Sequence, residues 1–112
     1  MQSGVDATEL TIFIHESLRQ GGKPLYEEIL ARARREGMAG ATIFRGIEGY
    51  GVHRHLHSTR LLDVSDDLPV LIEIVDRPER IARFLDAIAP LIPHGTATLN
   101  PVTVVTYRGR SE

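Results

Sequence analysis

Two amphipathic helix patterns, each lying between strand patterns, restrict the possible folds of this chain more than any other feature. The first helix is predicted to begin with Pro24 at its first position and to end near Gly37. The second is predicted to follow Asp76, which forms a capping-box pattern with Glu79. Apolar residues recur at helical spacing in both. The predicted buried residues are Leu25, Ile29, Leu30 and Ala33 in the first helix and Ile81, Phe84, Leu85 and Ile88 in the second.

Four strand patterns surround these helices, in the order β-α-β-β-α-β along the chain. They cover residues 9–15, 39–47, 69–75 and 96–107. Because crossover connections are right-handed, this order predicts an α+β protein with the ferredoxin-like βαββαβ fold, in which an antiparallel four-stranded sheet carries two helices on one face. The first and third strands are then central, and Pro101 in the last strand fits an edge position.

The chain has 112 residues, which fits one domain, predicted over residues 9–108 between a flexible N-terminal segment at 1–8 and a flexible tail at 109–112. It has no cysteine, which excludes disulfides, thiolate catalysis and cysteine-ligated zinc. The net charge of −2 argues against a nucleic-acid partner, because phosphate binding needs a basic surplus. The sequence shows neither a signal-peptide pattern nor a long apolar run, so a cytoplasmic location is expected.

The sheet face away from the helices is predicted to be partly apolar. Phe13 lies on it, together with Val70 or Leu71 and with Val104 or Val105. A patch of this size usually marks an interface. We therefore expect the chain to oligomerise through its sheet.

Glycines are concentrated between residues 40 and 51, where they break the second strand pattern. Gly46, Gly49 and Gly51 let the backbone turn sharply or approach another group closely. Arg45 beside them has the planar guanidinium that suits a phosphate or a carboxylate. The same pattern also fits a glycine-kinked hairpin in which Arg45 pairs with a nearby acid. Extended structure is expected to resume at residues 59–64.

Three histidines alternate in the polar stretch that follows the glycines. In an extended segment, His53, His55 and His57 point to one side, and imidazoles so arranged can ligate zinc, copper or nickel. The alternative is a polar loop whose histidines have no ligand role. His15, at the end of the first strand, fits either a site residue of the β-α loop or a structural histidine.

Five segments, taken together, resemble the PII-like family catalogued as domain of unknown function 190. They are residues 10–16, 22–26 (GKPLY), 40–51 (GATIFRGIEGYG), 56–57 (LH) and 67–76 (DLPVLIEIVD). The resemblance covers about residues 9–107 and implies a ferredoxin-like homotrimer related to the PII signalling proteins. In those proteins adenine nucleotides occupy clefts between subunits, and a mobile loop between the second and third strands contacts partners. That loop corresponds here to about residues 47–59.

The resemblance also implies a ligand, which is AMP, ADP or ATP, and a partner for the loop, which is a protein or a membrane transporter. The candidate ligand-binding residues are Lys23, Arg45, Gly46, Glu48, Gly49, Gly51 and His57. Lys23 and Arg45 are the natural phosphate contacts among them, and Lys23 stands at the predicted helix start, where backbone N–H groups favour anions. Of the three alternating histidines, only His57 matches the family pattern.

Two other functions stay open beside a nucleotide-binding regulator. One is a metal-binding trimer similar to the CutA-type relatives of the same fold, using His53, His55 and His57. The other is an assembly module without a small ligand. No enzyme is expected, because the sequence lacks the nucleophile elbow, the metalloprotease pattern and the dinucleotide fingerprint. Ser17 and Ser58 are possible nucleophiles, but the sequence identifies no base for either.

Overall fold

The computed structural model describes residues 2–49, 57–58 and 67–109 of the chain. The strands are β1 (Gln2–His15), β2 (Arg19–Gln20), β3 (Lys23–Pro24), β4 (Thr42–Arg45), β5 (Glu48–Gly49), β6 (His57–Ser58), β7 (Pro69–Asp76) and β8 (Thr96–Tyr107). The helices are α1 (Leu25–Arg35) and α2 (Pro78–Ile88), and a 3-10 turn at Ala89–Leu91 follows α2. None of the described helices is long and apolar enough to cross a membrane.

Four antiparallel strands form the main sheet in the order β4-β7-β1-β8. Both α-helices pack on one face of it. This architecture confirms the predicted α+β ferredoxin-like fold, and the first and third predicted strands, β1 and β7, are the central ones. β8 lies at an edge, where a strand tolerates Pro101, which stands opposite Thr8 of β1.

The core lies between the sheet and the helices, because alternate residues of β1 and β7 face α1 and α2. Its buried residues are Leu10, Ile12 and Ile14 of β1, Val70, Ile72 and Ile74 of β7, Leu25, Ile29 and Ala33 of α1, and Ile81, Phe84 and Ile88 of α2. Of the predicted helix stripes, Leu30 and Leu85 are only half-buried. Burying one large apolar side chain contributes about 1.5–3 kcal/mol, so this cluster is the main source of stability.

β1 begins at Gln2, well before the predicted start at residue 9. The sequence places residues 2–8 in a flexible segment, but in the structure they pair with β8, from Gln2 opposite Tyr107 to Thr8 opposite Pro101. The reason is that β8 runs on to Tyr107, and its second half offers residues 2–8 a row of backbone N–H and C=O groups with which to pair. β7 stops at Asp76, opposite Thr8, so β1 and β8 continue beyond it as a two-stranded ribbon.

Both α-helices begin one residue later than predicted. Pro24 is the N-cap of α1 and not its first residue. The N-cap of α2 is Arg77, and Pro78 occupies the first helical position, where its missing N–H costs nothing. The predicted capping box of Asp76 and Glu79 is therefore wrong, because Asp76 is the last residue of β7.

α1 ends at the predicted glycine. Gly37 has a φ of 70°, and its N–H donates to the carbonyl of Arg34 at 3.1 Å. The N–H of Met38 donates to the carbonyl of Ala33 at 3.0 Å. These two bonds form a Schellman motif, whose left-handed residue favours glycine.

A tight hairpin connects β2 to β3 just before α1. Its two connecting residues, Gly21 and Gly22, have φ values of 60° and 81°, which fit a type I′ turn. The N–H of Leu25 donates to the carbonyl of Leu18 at 2.8 Å. The hairpin is thus fixed against the start of α1 and sets the position of Lys23.

β4 is shorter than the predicted second strand, which covers residues 39–47 in the sequence pattern. The N–H of Ala39 donates to the Asp76 carboxylate at 2.9 Å and does not join the ladder with β7. Further along, Glu48 and Gly49 form β5, which pairs with β6. The predicted extended residues 59–64 lie outside the described residues.

The outer face of the sheet, opposite the helices, is partly apolar as predicted. Phe44, Leu71 and Phe13 lie side by side across β4, β7 and β1, and both phenylalanines are exposed. Val70 is buried on the helix side, so Leu71 is the member of that predicted pair on the outer face. On β8, Thr96 stands opposite Phe13, and Val104 is an even number of residues further along the strand. Alternate residues of a strand face the same side, so Val104 is the β8 valine on the outer face.

Candidate functional site

The ends of three neighbouring strands meet at one end of the sheet. β1 ends at His15, β4 ends at Arg45, and β7 begins at Pro69, which stands opposite His15. The turn after β1 is tied to the segment before β7, because the Glu16 N–H donates to the Leu68 carbonyl at 2.8 Å. The polar residues gathered here, which we call the strand-end cluster, are His15, Glu16, Ser17, Arg45 and Asp67.

Arg45 forms an ion pair with Glu16 within this cluster. The distance from Arg45 Nε to Glu16 Oε2 is 2.7 Å, and the two side chains are 59% and 34% exposed. The pairing with a nearby acid that the sequence allowed is therefore present. A pair with this exposure contributes only about 0–1 kcal/mol to stability, so the guanidinium stays available to a stronger anionic ligand.

Gly46 approaches the start of β7 closely. Its N–H donates to the Pro69 carbonyl at 2.8 Å, and a Cβ at this position would lie 2.6 Å from Pro69 Cγ. The sequence predicts that a glycine here lets the backbone approach another group closely. At Gly46 that group is Pro69 of the same chain. This contact fixes the backbone that carries Arg45.

Ser17 and Asp67 join the strand-end cluster from positions 50 residues apart. The Ser17 N–H donates to Asp67 Oδ1 at 2.8 Å, and the Ser17 hydroxyl donates to Asp67 Oδ2. His15 Nδ1 lies 3.9 Å from the same Oδ2. Sequence reasoning missed this contact and considered Ser17 only as a nucleophile. No spacing signal could have revealed it, since the two residues meet only through the sheet.

Lys23 is paired with a carboxylate other than that of Glu16. It belongs to β3, its side chain is 71% exposed, and its Nζ is 3.8 Å from Glu28 Oε1 of α1. The two predicted phosphate contacts, Lys23 and Arg45, are therefore paired with different carboxylates. Among the described residues, no carboxylate bridges the two.

Glu48, Gly49 and His57 are brought near one another through their backbones. Glu48 pairs with Ser58 and Gly49 with His57 in the β5–β6 ladder. Gly51, His53 and His55 lie outside the described residues. Of the three predicted metal ligands, only His57 is therefore among the described residues. Within the described part of the chain, no group of three histidine, aspartate or glutamate residues could hold a metal ion.

A second charged cluster stands at the opposite end of β7. Asp76 accepts hydrogen bonds from the N–H groups of Ala39 and Arg77 and from Arg80 Nε, at 2.9, 2.7 and 3.2 Å. Burial acts to raise the pKa of Asp76, but these hydrogen bonds outweigh it and hold the pKa below its ordinary value. Arg80 Nη2 also donates to the Gly37 carbonyl at 2.6 Å. This cluster ties α1, β7 and α2 together, so its role is structural.

A groove of about 420 Å³ lies on the outer face near this second cluster. Residues 39–41, in the segment just before β4, line it, and Val5, Ala7, Val75 and Val104 contribute apolar surface. The sequence did not predict it, because it depends on the N-terminal half of β1, for which the sequence pattern indicates a flexible segment. It is separate from the strand-end cluster.

Solved structures with this fold include PII-like proteins. The chain is similar to CPII, a nitrogen regulatory PII-like protein from Thiomonas intermedia K12 bound to ADP, AMP and bicarbonate, with a TM-score of 0.69, 19% identity and 91% of each chain covered. It is similar to a PII-like protein from Thermus thermophilus, with a TM-score of 0.59, 22% identity and coverage of 92% of this chain and 91% of that one. A more distant likeness is to the divalent ion tolerance protein CutA1 from Ehrlichia chaffeensis, with a TM-score of 0.52, 13% identity and coverage of 95% and 84%. These likenesses confirm the fold.

Relatives in sequence define the family. A UPF0166 protein from Aquifex aeolicus (strain VF5) is 41% identical over 96 residues, covering 86% of this chain and 90% of the relative. UPF0166 protein MJ1524 from Methanocaldococcus jannaschii is 38% identical over 111 residues, covering 96% of this chain and 97% of the relative. The DUF190 family model, described as Uncharacterized ACR, COG1993, matches residues 7–104. The chain therefore belongs to the DUF190 family, as its sequence motifs indicated, and shares its fold with PII-like proteins.

Proposed function

We propose that this protein is a homotrimeric PII-like regulator that binds an adenine nucleotide in clefts between subunits and signals through residues 47–59. The observation that carries the proposal is the fold shared with CPII over 91% of both chains, since CPII is bound to ADP and AMP. Regulation of a protein or membrane-transporter partner in the cytoplasm, without catalysis by this chain, belongs to the same proposal.

Within the strand-end cluster, Arg45 supports an anion contact at the base of the proposed signalling segment. Arg45 is the last residue of β4, and β5 begins three residues later. Its side chain is more than half exposed, and its guanidinium is paired with a single carboxylate among the described residues. A planar guanidinium in this state binds phosphate oxygens well, because charge-assisted hydrogen bonds are stronger than neutral ones. Phosphate binding at Arg45 would act directly on the residues that lead into β5.

The outer face of the sheet supports assembly. Phe13 and Phe44 are 39% and 48% exposed, and Leu71 lies between them. Contiguous apolar side chains on a sheet face favour burial against another surface. Three copies that cover these faces would also create the clefts in which the nucleotide is proposed to bind.

Thermal unfolding in the presence of ligands tests this function. The melting temperature of the wild-type protein is measured with AMP, ADP, ATP and GTP, and separately with zinc and nickel. Ligand at 100 times its Kd stabilises the native state by about 2.7 kcal/mol, so a rise of several degrees is expected with an adenine nucleotide. Arg45→Ala is expected to reduce the rise, whereas Arg83→Ala, at an exposed position of α2, is expected to leave it unchanged.

The other outcomes of the same panel identify the alternatives. A rise with metals alone would favour a metal-binding trimer that uses His53, His55 and His57, in keeping with the distant likeness to CutA1. No rise with any ligand at millimolar concentration would overturn nucleotide binding and favour an assembly module. If GTP raises the melting temperature as much as ATP does, the site recognises the phosphates and does not select the adenine base.

A further inference from the structure

We propose that Glu16 is an internal competitor for the anionic group of the ligand at Arg45. Glu16 Oε2 stands 2.7 Å from Arg45 Nε, within the reach that a phosphate oxygen bound to this guanidinium would need. The inference rests on the proposed nucleotide binding. It adds the residue that sets the affinity and the charge preference of the site.

The exposure of the Arg45–Glu16 pair makes it displaceable. The Arg45 side chain is 59% exposed and the Glu16 side chain 34%, although Glu16 Oε2 itself is buried, so water and salt reach the pair from the Arg45 side and weaken its attraction. The Asp76–Arg80 pair is different, because the Asp76 side chain is only 8% exposed and also accepts two backbone N–H groups. Of these two pairs, a phosphate would exchange with the one at Arg45, and the one at Asp76 would remain.

The backbone of Glu16 is held in place by hydrogen bonds at residues 16 and 17. The Glu16 N–H is bonded to the Leu68 carbonyl, and the next residue, Ser17, is bonded through its N–H and hydroxyl to Asp67. After displacement, the Glu16 carboxylate therefore stays near the bound phosphate and repels it. Its removal should improve binding, and the improvement should grow with the charge of the phosphate group and shrink with added salt.

The chain contains a closely matched control pair. Arg32 Nε lies 2.7 Å from Glu36 Oε2, and the Glu36 side chain is 34% exposed, as is that of Glu16. Both residues belong to the C-terminal part of α1 and its cap. Glu36→Gln therefore removes an ion pair of the same length, with an equally exposed glutamate, away from the strand-end cluster.

Calorimetric titration with ATP at low and high salt measures the effect. Glu16→Gln is expected to bind about five-fold more tightly than the wild type at low salt, the factor that corresponds to an exposed ion pair at the upper end of its range. Glu16→Asp, which keeps the charge but shortens the reach, should lie between them, and Glu36→Gln should equal the wild type. Equal or weaker binding by Glu16→Gln, with normal binding by the wild type, would overturn the inference.

A probe independent of the nucleotide separates this inference from the proposed function. The NMR signal of the Arg45 Nε–H group is followed during titration with pyrophosphate. It should shift at a lower pyrophosphate concentration in Glu16→Gln than in the wild type. Absence of ATP binding by the wild type would overturn the nucleotide function alone, whereas identical pyrophosphate titrations of the two proteins would overturn the competitor role of Glu16.

Discussion

Gly46 and Pro69 are in direct backbone contact where β4 ends and β7 begins. The Gly46 N–H donates to the Pro69 carbonyl at 2.8 Å, and a Cβ on residue 46 would stand 2.6 Å from Pro69 Cγ. A proline ring cannot rotate away as a flexible side chain can. The contact therefore requires glycine, and it positions Arg45, the residue before it.

Gly46→Ala is expected to lower the free energy of unfolding by about 1–3 kcal/mol, because the added methyl forces the two strand ends apart. The matched control is Gly40→Ala, since a Cβ at residue 40 would have no atom within 4 Å. Urea denaturation of the three proteins measures the difference. Equal stability of the two variants would contradict the close contact between Gly46 and Pro69.

Asp76 is expected to make folding stability fall in acid. Its pKa is lower in the folded protein than in the unfolded chain, so its contribution is present above about pH 4 and is lost as pH falls through the folded value. Asp76→Asn should therefore be less stable than the wild type at pH 7, by about 1–3 kcal/mol, with a smaller difference at pH 3. Denaturation midpoints across this pH range measure it.

Asp86→Asn supplies the comparison for that experiment, since Asp86 is an exposed carboxylate on the surface of α2. Its loss should change stability little at either pH. A stability difference between the wild type and Asp76→Asn that stays constant from pH 7 to pH 3 would show that the Asp76 charge is not the cause.

In the hairpin before α1, the effect of replacing Gly21 on the unfolding temperature should depend on the residue introduced. Gly21 has a φ of 60°, which asparagine tolerates in a type I′ turn and which costs a β-branched residue about 1–2 kcal/mol. Gly21→Asn should therefore unfold near the wild-type temperature, and Gly21→Val should unfold several degrees lower. Circular dichroism melts of both variants provide the check, and equal melts would be inconsistent with the turn type.

Local sequence patterns predict the helices and the core residues well, because these features depend on residues that are close together in the chain. The buried stripe of Ile81, Phe84 and Ile88 follows from helical spacing, and Gly37 marks a helix end by its own backbone preference. Such patterns do not reveal the N-terminal half of β1, because its partner is the second half of β8, which lies far along the chain. At the start of α2, Pro78 is a stronger helix-start signal than the capping-box pattern of Asp76.

The site is predicted less completely than the fold. Arg45 and Gly46 can be singled out because a glycine cluster and an adjacent arginine are visible in one segment. Glu16 and Asp67 acquire their roles only when the ends of β1, β4 and β7 come together. Contacts between residues far apart in sequence are fixed by the register of the sheet, which the sequence pattern does not specify at single-residue accuracy.

Lys23 should contribute to nucleotide affinity without contributing to the fold. Its side chain is 71% exposed and its Nζ lies 3.8 Å from Glu28 Oε1, so removal of this side chain should leave the melting temperature nearly unchanged. If it contacts phosphate, as the family resemblance implies, Lys23→Ala should weaken ATP binding about ten-fold, the loss expected for one charge-assisted hydrogen bond. Arg35→Ala, which removes an exposed cation from the last turn of α1, is the control. Unchanged affinity of Lys23→Ala would remove this residue from the site.

The outer face provides the test of assembly. Phe44 is 48% exposed and adjoins Leu71 and Phe13 across the sheet, so the proposed trimer would bury it. Phe44→Glu should then place a carboxylate in an apolar interface, at a cost of several kcal/mol, and dissociate the assembly. Sedimentation equilibrium should give three times the chain mass for the wild type and for an Arg83→Glu control on α2, and a single chain mass for Phe44→Glu. A wild-type protein that sediments as a single chain would contradict the trimer, and an intact Phe44→Glu trimer would show that another surface holds it together.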